Sequence, residues 1–227
     1  RYPKAGQTNP QVRIGVIDLS VLLPDSSAIP GKAQVSSVIP SQTESSSTVI
    51  PSEAEGRVEE SIIWADFNPE EDQYFGIPFW SPDSKEFFIA RMPRLQNTLD
   101  LYSVNAADGS KKHIYNETYK TWLNWINPVI FTEKGLYMAR EFETGWQQIY
   151  FLSYDGKEFR RLTDGTNWSV NLLRVDEKRG EVYFTAKRDA TVRQALYKVD
   201  AEGVVTALTD PAYHVIGVKF SPDGKYF

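Results

Sequence analysis

The 227-residue chain has no cysteine, which excludes a disulfide scaffold and any thiolate-held metal. No apolar run approaches the length of a membrane span, and no signal peptide is visible. No stretch shows convincing amphipathic helical periodicity. A basic stripe is missing too. With 25 Lys and Arg against 30 Asp and Glu, the net charge is −5, and the acidic residues are spread out. A nucleic-acid or anionic-membrane surface is therefore not expected. The sequence has no G-x-S-x-G nucleophile elbow, no glycine-rich phosphate loop and no His/Asp/Glu set at metal spacing. Only His113 and His214 could serve as a catalytic base, and both are expected in packing or surface roles. No catalytic residue, metal site or cofactor is expected in this chain.

What is present is aromatic and regular. Phe, Trp and Tyr make up 13% of the residues, set beside Val, Ile and Thr in short runs. Gly, Asp, Asn and Pro punctuate those runs, which is the pattern of many short strands.

The runs repeat. "YSVNAADGS", "YFLSYDGKE" and "YKVDAEGVV" place Gly109, Gly156 and Gly203 at intervals of 47 residues. Tyr102, Tyr150 and Tyr197 lead the three segments, and an acidic residue, Asp108, Asp155 or Glu202, precedes each glycine. Acid-Gly is a tight-turn signal, because glycine accepts the positive φ that a hairpin demands. Each unit reads as four strands. The first is "PFW", "EFFIARM", "DLYSV" and "KKHIY", the second "PVIF", "GLYMAREF", "QQIYFLSY" and "EFRRLT", the third "LLRV", "EVYFTAK", "ALYKVD" and "VVTALT". The turn after the first strand is "SPDS" at 81–84 and recurs as "SPDG" at 221–224. Pro82 and Pro222 pre-set φ at the second turn position, and Asp83 and Asp223 suit the third. "TEKG" at 132–135 and "DEKR" at 176–179 take the same place without proline.

The inner strands are apolar on both faces. In "QIYFLSY", Ile149 and Phe151 point one way and Tyr150 and Leu152 the other, whereas a sheet with one wet face would alternate more cleanly. Copies of the same unit must then cover both faces. Four antiparallel strands and a period in the forties describe propeller blades. A β-sandwich is the rival, but it supplies no reason for a fixed period. The expected fold is an all-β partial β-propeller of about three four-stranded antiparallel blades plus the start of another. Residues 1–19 end a preceding blade, 20–61 form an insertion, 62–116, 117–166 and 167–210 are blades, and 211–227 begin the next. Because the chain opens on Arg1 and ends within a repeated phrase, it is expected to be an excised piece of a longer protein.

Residues 20–61 break the pattern. Ser and Pro dominate, and "VIPS" occurs twice, at 38–41 and 49–52. Such composition reads as a flexible or loosely wrapped insertion. The other reading is an arm that adds edge strands or meets a partner, with the Val-Ile pairs as anchors.

"RYPKAGQTNPQVRIGVIDL" at the start resembles a stretch of the dipeptidyl peptidase IV group of serine exopeptidases, within the prolyl oligopeptidase family. "GWQQIYFL" at 145–152, "LTDGTNWSV" at 162–170 and the SPDS/SPDG turns are similar to that group's blades and inter-blade links. The resemblance implies a lid of irregular blades over a C-terminal α/β-hydrolase domain that carries a Ser-Asp-His triad and cleaves after proline or alanine. On this plan the chain is a non-catalytic part of the lid. Its partners would be the hydrolase domain of the same parent chain and, through the whole enzyme, a peptide substrate. The parent would be exported, as a periplasmic, extracellular or membrane-anchored protein.

The group holds the substrate's ammonium with adjacent glutamates. Glu59-Glu60 and Glu70-Glu71 are pairs of this kind, but in the group the pair precedes the YPKAG segment and here both follow it, so both read as solvated loop charges. "TWLNWINP" at 121–128 aligns with an inner-rim segment of the group. Trp125 and Asn127 are the residues expected to face the substrate cleft, although an arginine found here in some members is absent. Trp122 is expected to plug the gap between blades, and Trp146 and Trp168 to sit in inter-blade core. "NET" at 116–118 and "NWS" at 167–169 match the N-glycosylation pattern, which carries weight only in a secretory host.

Two functions fit: a gating segment of a dipeptidyl- or tripeptidyl-peptidase, or a TolB-like propeller that binds proteins or sugars without an enzyme attached. A cut ring would also leave open blade faces, so the isolated chain is expected to self-associate.

Overall fold

The computed structural model describes residues 11–18 and 62–227. The Ser/Pro-rich stretch, the YPKAG motif and Glu59-Glu60 lie outside the described residues.

All regular structure among the described residues is strand. β1 (Gly15–Ile17) and β2 (Ile62–Trp64) pair antiparallel as a two-stranded ribbon. Next come β3 (Gln73–Phe75), β4 (Phe79–Trp80), β5 (Glu86–Pro93), β6 (Thr98–Asn105) and β7 (Lys111–Thr118). β3 and β4 both pair with β5, and the sheet continues through β6 to β7. The second sheet is β8 (Val129–Phe131), β9 (Gly135–Arg140), β10 (Gln148–Ser153) and β11 (Phe159–Arg161), in chain order. The third is β12 (Trp168–Asp176), β13 (Glu181–Lys187), β14 (Ala195–Val199) and β15 (Val205–Ala207), again in chain order. Every pairing is antiparallel and neighbouring sheets stack face to face, so the molecule is a partial β-propeller.

The two-faced strands explain the stacking. Phe88, Ala90 and Met92 of β5 join Leu136 and Met138 of β9 and Leu152 of β10 in one core between the first and second blades. Phe87 and Ile89, of opposite parity, join Ile14, Val16 and Ala65 in a core against the ribbon. In the second blade, Ile149 and Phe151 turn to the third, where they meet Leu172, Val182 and Phe184. Phe88, Met92, Leu136, Met138 and Phe184 are fully buried, and each such side chain contributes about 1.5–3 kcal/mol. A one-residue slip in any strand would exchange the two cores, so the sequence specifies register strongly.

The repeated glycine has a second duty besides its turn. Gly156 has φ +75°, and a Cβ there would stand 2.5 Å from the carbonyl oxygen of Ile114 in the first blade. Gly109 presses in the same way on the backbone of Trp64, and Gly203 faces the carbonyl of Leu162. The 47-residue period therefore marks both a hairpin and the point where each blade touches the backbone before it.

The Ser-x-Asp turns share one bonding scheme. The Ser81 hydroxyl donates to Asp83 at 2.7 Å, Ser153 to Asp155 at 2.7 Å and Ser221 to Asp223 at 2.6 Å. Each carboxylate also accepts the backbone N–H two residues on. The hydroxyl hydrogen bonds hold all three carboxyls below their ordinary range.

Candidate functional site

Strand direction sorts the loops onto two ends of the blades. The Ser-x-Asp and acid-Gly hairpins lie at one end. At the other lie the links Tyr119–Pro128 and Leu162–Asn167, with the long hairpin loops Glu141–Gln147 and Arg188–Gln194. This second end is the rim that carries the sequence candidates.

The link Tyr119–Pro128 is bolted from beneath. Glu117 ends the inward-facing phase of β7, and Arg140 ends that of β9, after Leu136 and Met138. Their side chains are 0% and 2% exposed and form an ion pair. The Arg140 guanidinium donates from Nε to Glu117 Oε2 at 3.1 Å, from Nη1 to the Trp125 carbonyl at 3.1 Å and from Nη2 to the Asn124 carbonyl at 2.7 Å. The Tyr115 hydroxyl donates to the same carboxylate. Burial works against the Arg140 charge, but Glu117 outweighs it and holds the guanidinium's pKa above its ordinary value. Burial, reinforced by Glu117, pushes the Tyr115 phenol well up. Every charge-bearing atom is matched, as an ion pair in a dry core requires.

This bolt fixes what the loop shows to solvent. Leu123 and Ile126 turn inward and are 6% and 5% exposed. Trp122 is 68% exposed, so it does not plug the gap between blades; the two aliphatic side chains fill it. Trp125 is 36% exposed, and its ring lies over Gly76, where an added Cβ would approach it to 3.0 Å. Asn127 is exposed and joined to Pro128 by a cis peptide bond. Trp125 and Asn127 thus share one fixed loop at the rim.

Trp146 and Trp168 are 42% and 43% exposed and stand at the rim rather than in inter-blade core. Core positions on the adjoining strands β10 and β12 go to Ile149, Val170 and Leu172 instead. His113 lies on outer strand β7, 3.1 Å from Asp100, and His214 accepts the backbone N–H of Gln194 at 3.1 Å. Glu71 pairs with Arg91 at the edge of the first blade. Of the two glycosylation patterns, Asn167 is fully buried and bonded to Gln148, whereas Asn116 is exposed on β7. Among the described residues, no group of three His, Cys, Asp or Glu could hold a metal, and no helix is long and apolar enough to cross a membrane.

Sequence reasoning missed the Glu117–Arg140 bolt. Its signal was a charge of each sign on the inward phase of two strands that neighbour in the stack.

The chain matches, over residues 1–227, a family model described as the dipeptidyl peptidase IV (DPP IV) N-terminal region. A probable dipeptidyl peptidase 4 of Emericella nidulans is 23% identical over the whole of this chain and 26% of its own length. Dipeptidyl peptidase 4 of Arthroderma otae is 26% identical over 74% of this chain and 23% of its own. The chain therefore spans about a quarter of the length of these curated relatives. A solved dipeptidyl peptidase 4 from Porphyromonas gingivalis superposes with a TM-score of 0.59 at 25% identity, over 66% of this chain and 22% of that one. With its stacked blades and its full-length match, this chain belongs to the family of dipeptidyl peptidase IV N-terminal regions.

Proposed function

We propose that the chain is a segment of the gating propeller of an exported serine-type dipeptidyl peptidase, and that its rim helps to shape the entrance to a catalytic chamber. The hydrolase domain would be supplied by the rest of the parent protein and would remove dipeptides, usually after proline or alanine. Trp125 and Asn127 would face the substrate, positioning it without taking part in bond cleavage. The observation that carries the reading is the buried Glu117–Arg140 pair, which holds exposed aromatic side chains on a fixed loop. Exposed aromatics on an over-determined loop are what a recognition surface needs.

The test uses the full parent protein and Ala-Pro-p-nitroanilide. Trp125→Ala and Asn127→Ala are each expected to raise KM several-fold with kcat little changed, as loss of uniform binding does. An unchanged KM in both variants refutes the substrate-facing role. The 227-residue chain, assayed alone, is expected to release no nitroaniline; turnover by the pure chain would place catalysis within it. We also propose that the chain alone self-associates through the exposed Tyr213, Ile216 and Tyr226. Sedimentation velocity at rising concentration checks this, and a constant monomer value refutes it.

A further inference from the structure

The same rim holds a second concavity, one blade along from Trp125. It is an open cavity of about 300 Å³ between the second and third blades, lined by Trp146, Trp168, Lys187, Arg188 and Asp189 among others. We propose that this pocket binds the C-terminal residue of a peptide, with the tryptophans taking an apolar ring and the two cations taking the terminal carboxylate. The proposal stands apart from the reading of Trp125 and survives if that reading fails.

Three features support it. The first is geometry. Trp168 and Lys187 are directly opposed on β12 and β13, and the Lys187 ammonium lies 5.1 Å from the Trp168 ring centroid. Directly after Trp168 the ladder slips: a bulge separates the Trp168 and Asn171 pairings, and Ser169 has φ +51°. A positive φ is uncommon for a serine, and a bulge within a strand re-aims a neighbouring side chain. Here it leaves the indole at the surface instead of in the core that Val170 and Leu172 enter.

The second feature is charge. Arg188 donates to the Asp164 carbonyl and to Asn167 Oδ1, both at 2.6 Å, and both are neutral acceptors. Neither Arg188 nor Lys187 has an ion-pairing carboxylate among the described residues. Asp189, the pocket's own acid, is engaged by the Tyr197 hydroxyl at 2.7 Å. Two cations in an aromatic-walled pocket complement an anion that carries a flat apolar group.

The third feature is size. About 300 Å³ is the small end of ligand pockets and suits one side chain with its carboxylate, not a folded segment.

The experiment titrates this chain with acetyl-Gly-Phe carrying a free carboxylate and with the same peptide as its C-terminal amide. Two-dimensional NMR of the six indole N–H groups reads the binding. The acid is expected to shift the Trp146 and Trp168 signals in the millimolar range and the amide to bind at least about tenfold more weakly. Trp168→Ala and, separately, Lys187→Glu are expected to weaken the acid about tenfold or more, while Trp80→Ala, at the opposite end of the blades, leaves binding unchanged. Lys187 is a surface residue, so its variant tests the charge even if the tryptophan variant misfolds. Equal binding of acid and amide, binding that survives Lys187→Glu, or no shift from either probe overturns the proposal. Free phenylalanine is the third arm. If it binds as tightly as the peptide, the site reads an amino acid and the peptide assignment falls.

Discussion

Two links join successive blades at the same rim, and the buried group beneath each is different. Tyr119–Pro128 is held by the buried ion pair of Glu117 and Arg140. Leu162–Asn167 is held from beneath by the neutral Gln148, with the half-exposed Arg188 donating to the Asp164 carbonyl and Asn167 Oδ1 without a carboxylate partner among the described residues. The Gln148 side chain accepts from the Thr163 hydroxyl at 2.8 Å and from the Asn167 amide at 2.7 Å, and it donates to the Gly165 carbonyl at 2.7 Å. The Thr163 hydroxyl in turn accepts the Ile149 N–H, and Thr209 accepts that of Leu196 in the same way in the next blade. The Leu-Thr-Asp tie is thus the fold's general device, and the ion pair is the exception. It occurs where the link is longer and two backbone carbonyls must be reached from below. A guanidinium, with donors in a fixed fork, reaches both, which a threonine hydroxyl cannot do.

The largest effect should come from breaking the charged tie on one side. Glu117→Ala or Arg140→Ala leaves an unmatched charge in a dry core and is expected to cost about 3–5 kcal/mol in urea denaturation. The Trp125 indole signal should move in both variants. The paired replacement Glu117→Leu with Arg140→Met sharpens the point. It should recover most of that stability, since apolar isosteres often replace a buried pair without loss, yet leave Trp125 displaced. If the double variant keeps Trp125 in place, the pair does not position the loop.

Gln148→Ala attacks the neutral tie. It leaves the Thr163 and Asn167 donors unmet and is expected to cost about 1–3 kcal/mol, with the Trp168 signal shifting and Trp125 unmoved. Equal disturbance of both tryptophans would show that the two links are not separate units.

The smallest effect is that of pH on the hairpin end. Asp83, Asp155 and Asp223 have carboxyls held low by serine hydroxyls. Their contribution is complete above the ordinary carboxylate pKa and fades as pH falls through the depressed values. Replacing Ser81, Ser153 and Ser221 together by Ala should lower the neutral plateau of the stability curve and flatten its acid limb, with the two proteins converging at low pH where the carboxyls are protonated in both. An unchanged acid limb would show that the serine bonds do not set it.

The strands were legible because their apolar residues obey a period of two on both faces, as in Phe87 and Phe88, which enter different cores. Turn glycines were legible because only positive φ explains an acid-Gly pair at a constant interval. The tryptophans were not. Links have no periodicity, so nothing in "TWLNWINP" says that Leu123 and Ile126 turn inward while Trp122 stays out. Nor did strand β3 or the pairing of β1 with β2 show, since short runs on either side of a long insertion carry no register information.

That last pairing matters for how the protein can change. Ile17 and Ile62 are opposite partners on the ribbon, so two positions far apart in sequence stand side by side. Closing a loop grows costlier only with the logarithm of its length. The span between these partners can therefore differ greatly in length among proteins at little entropic cost to the ribbon that joins its ends.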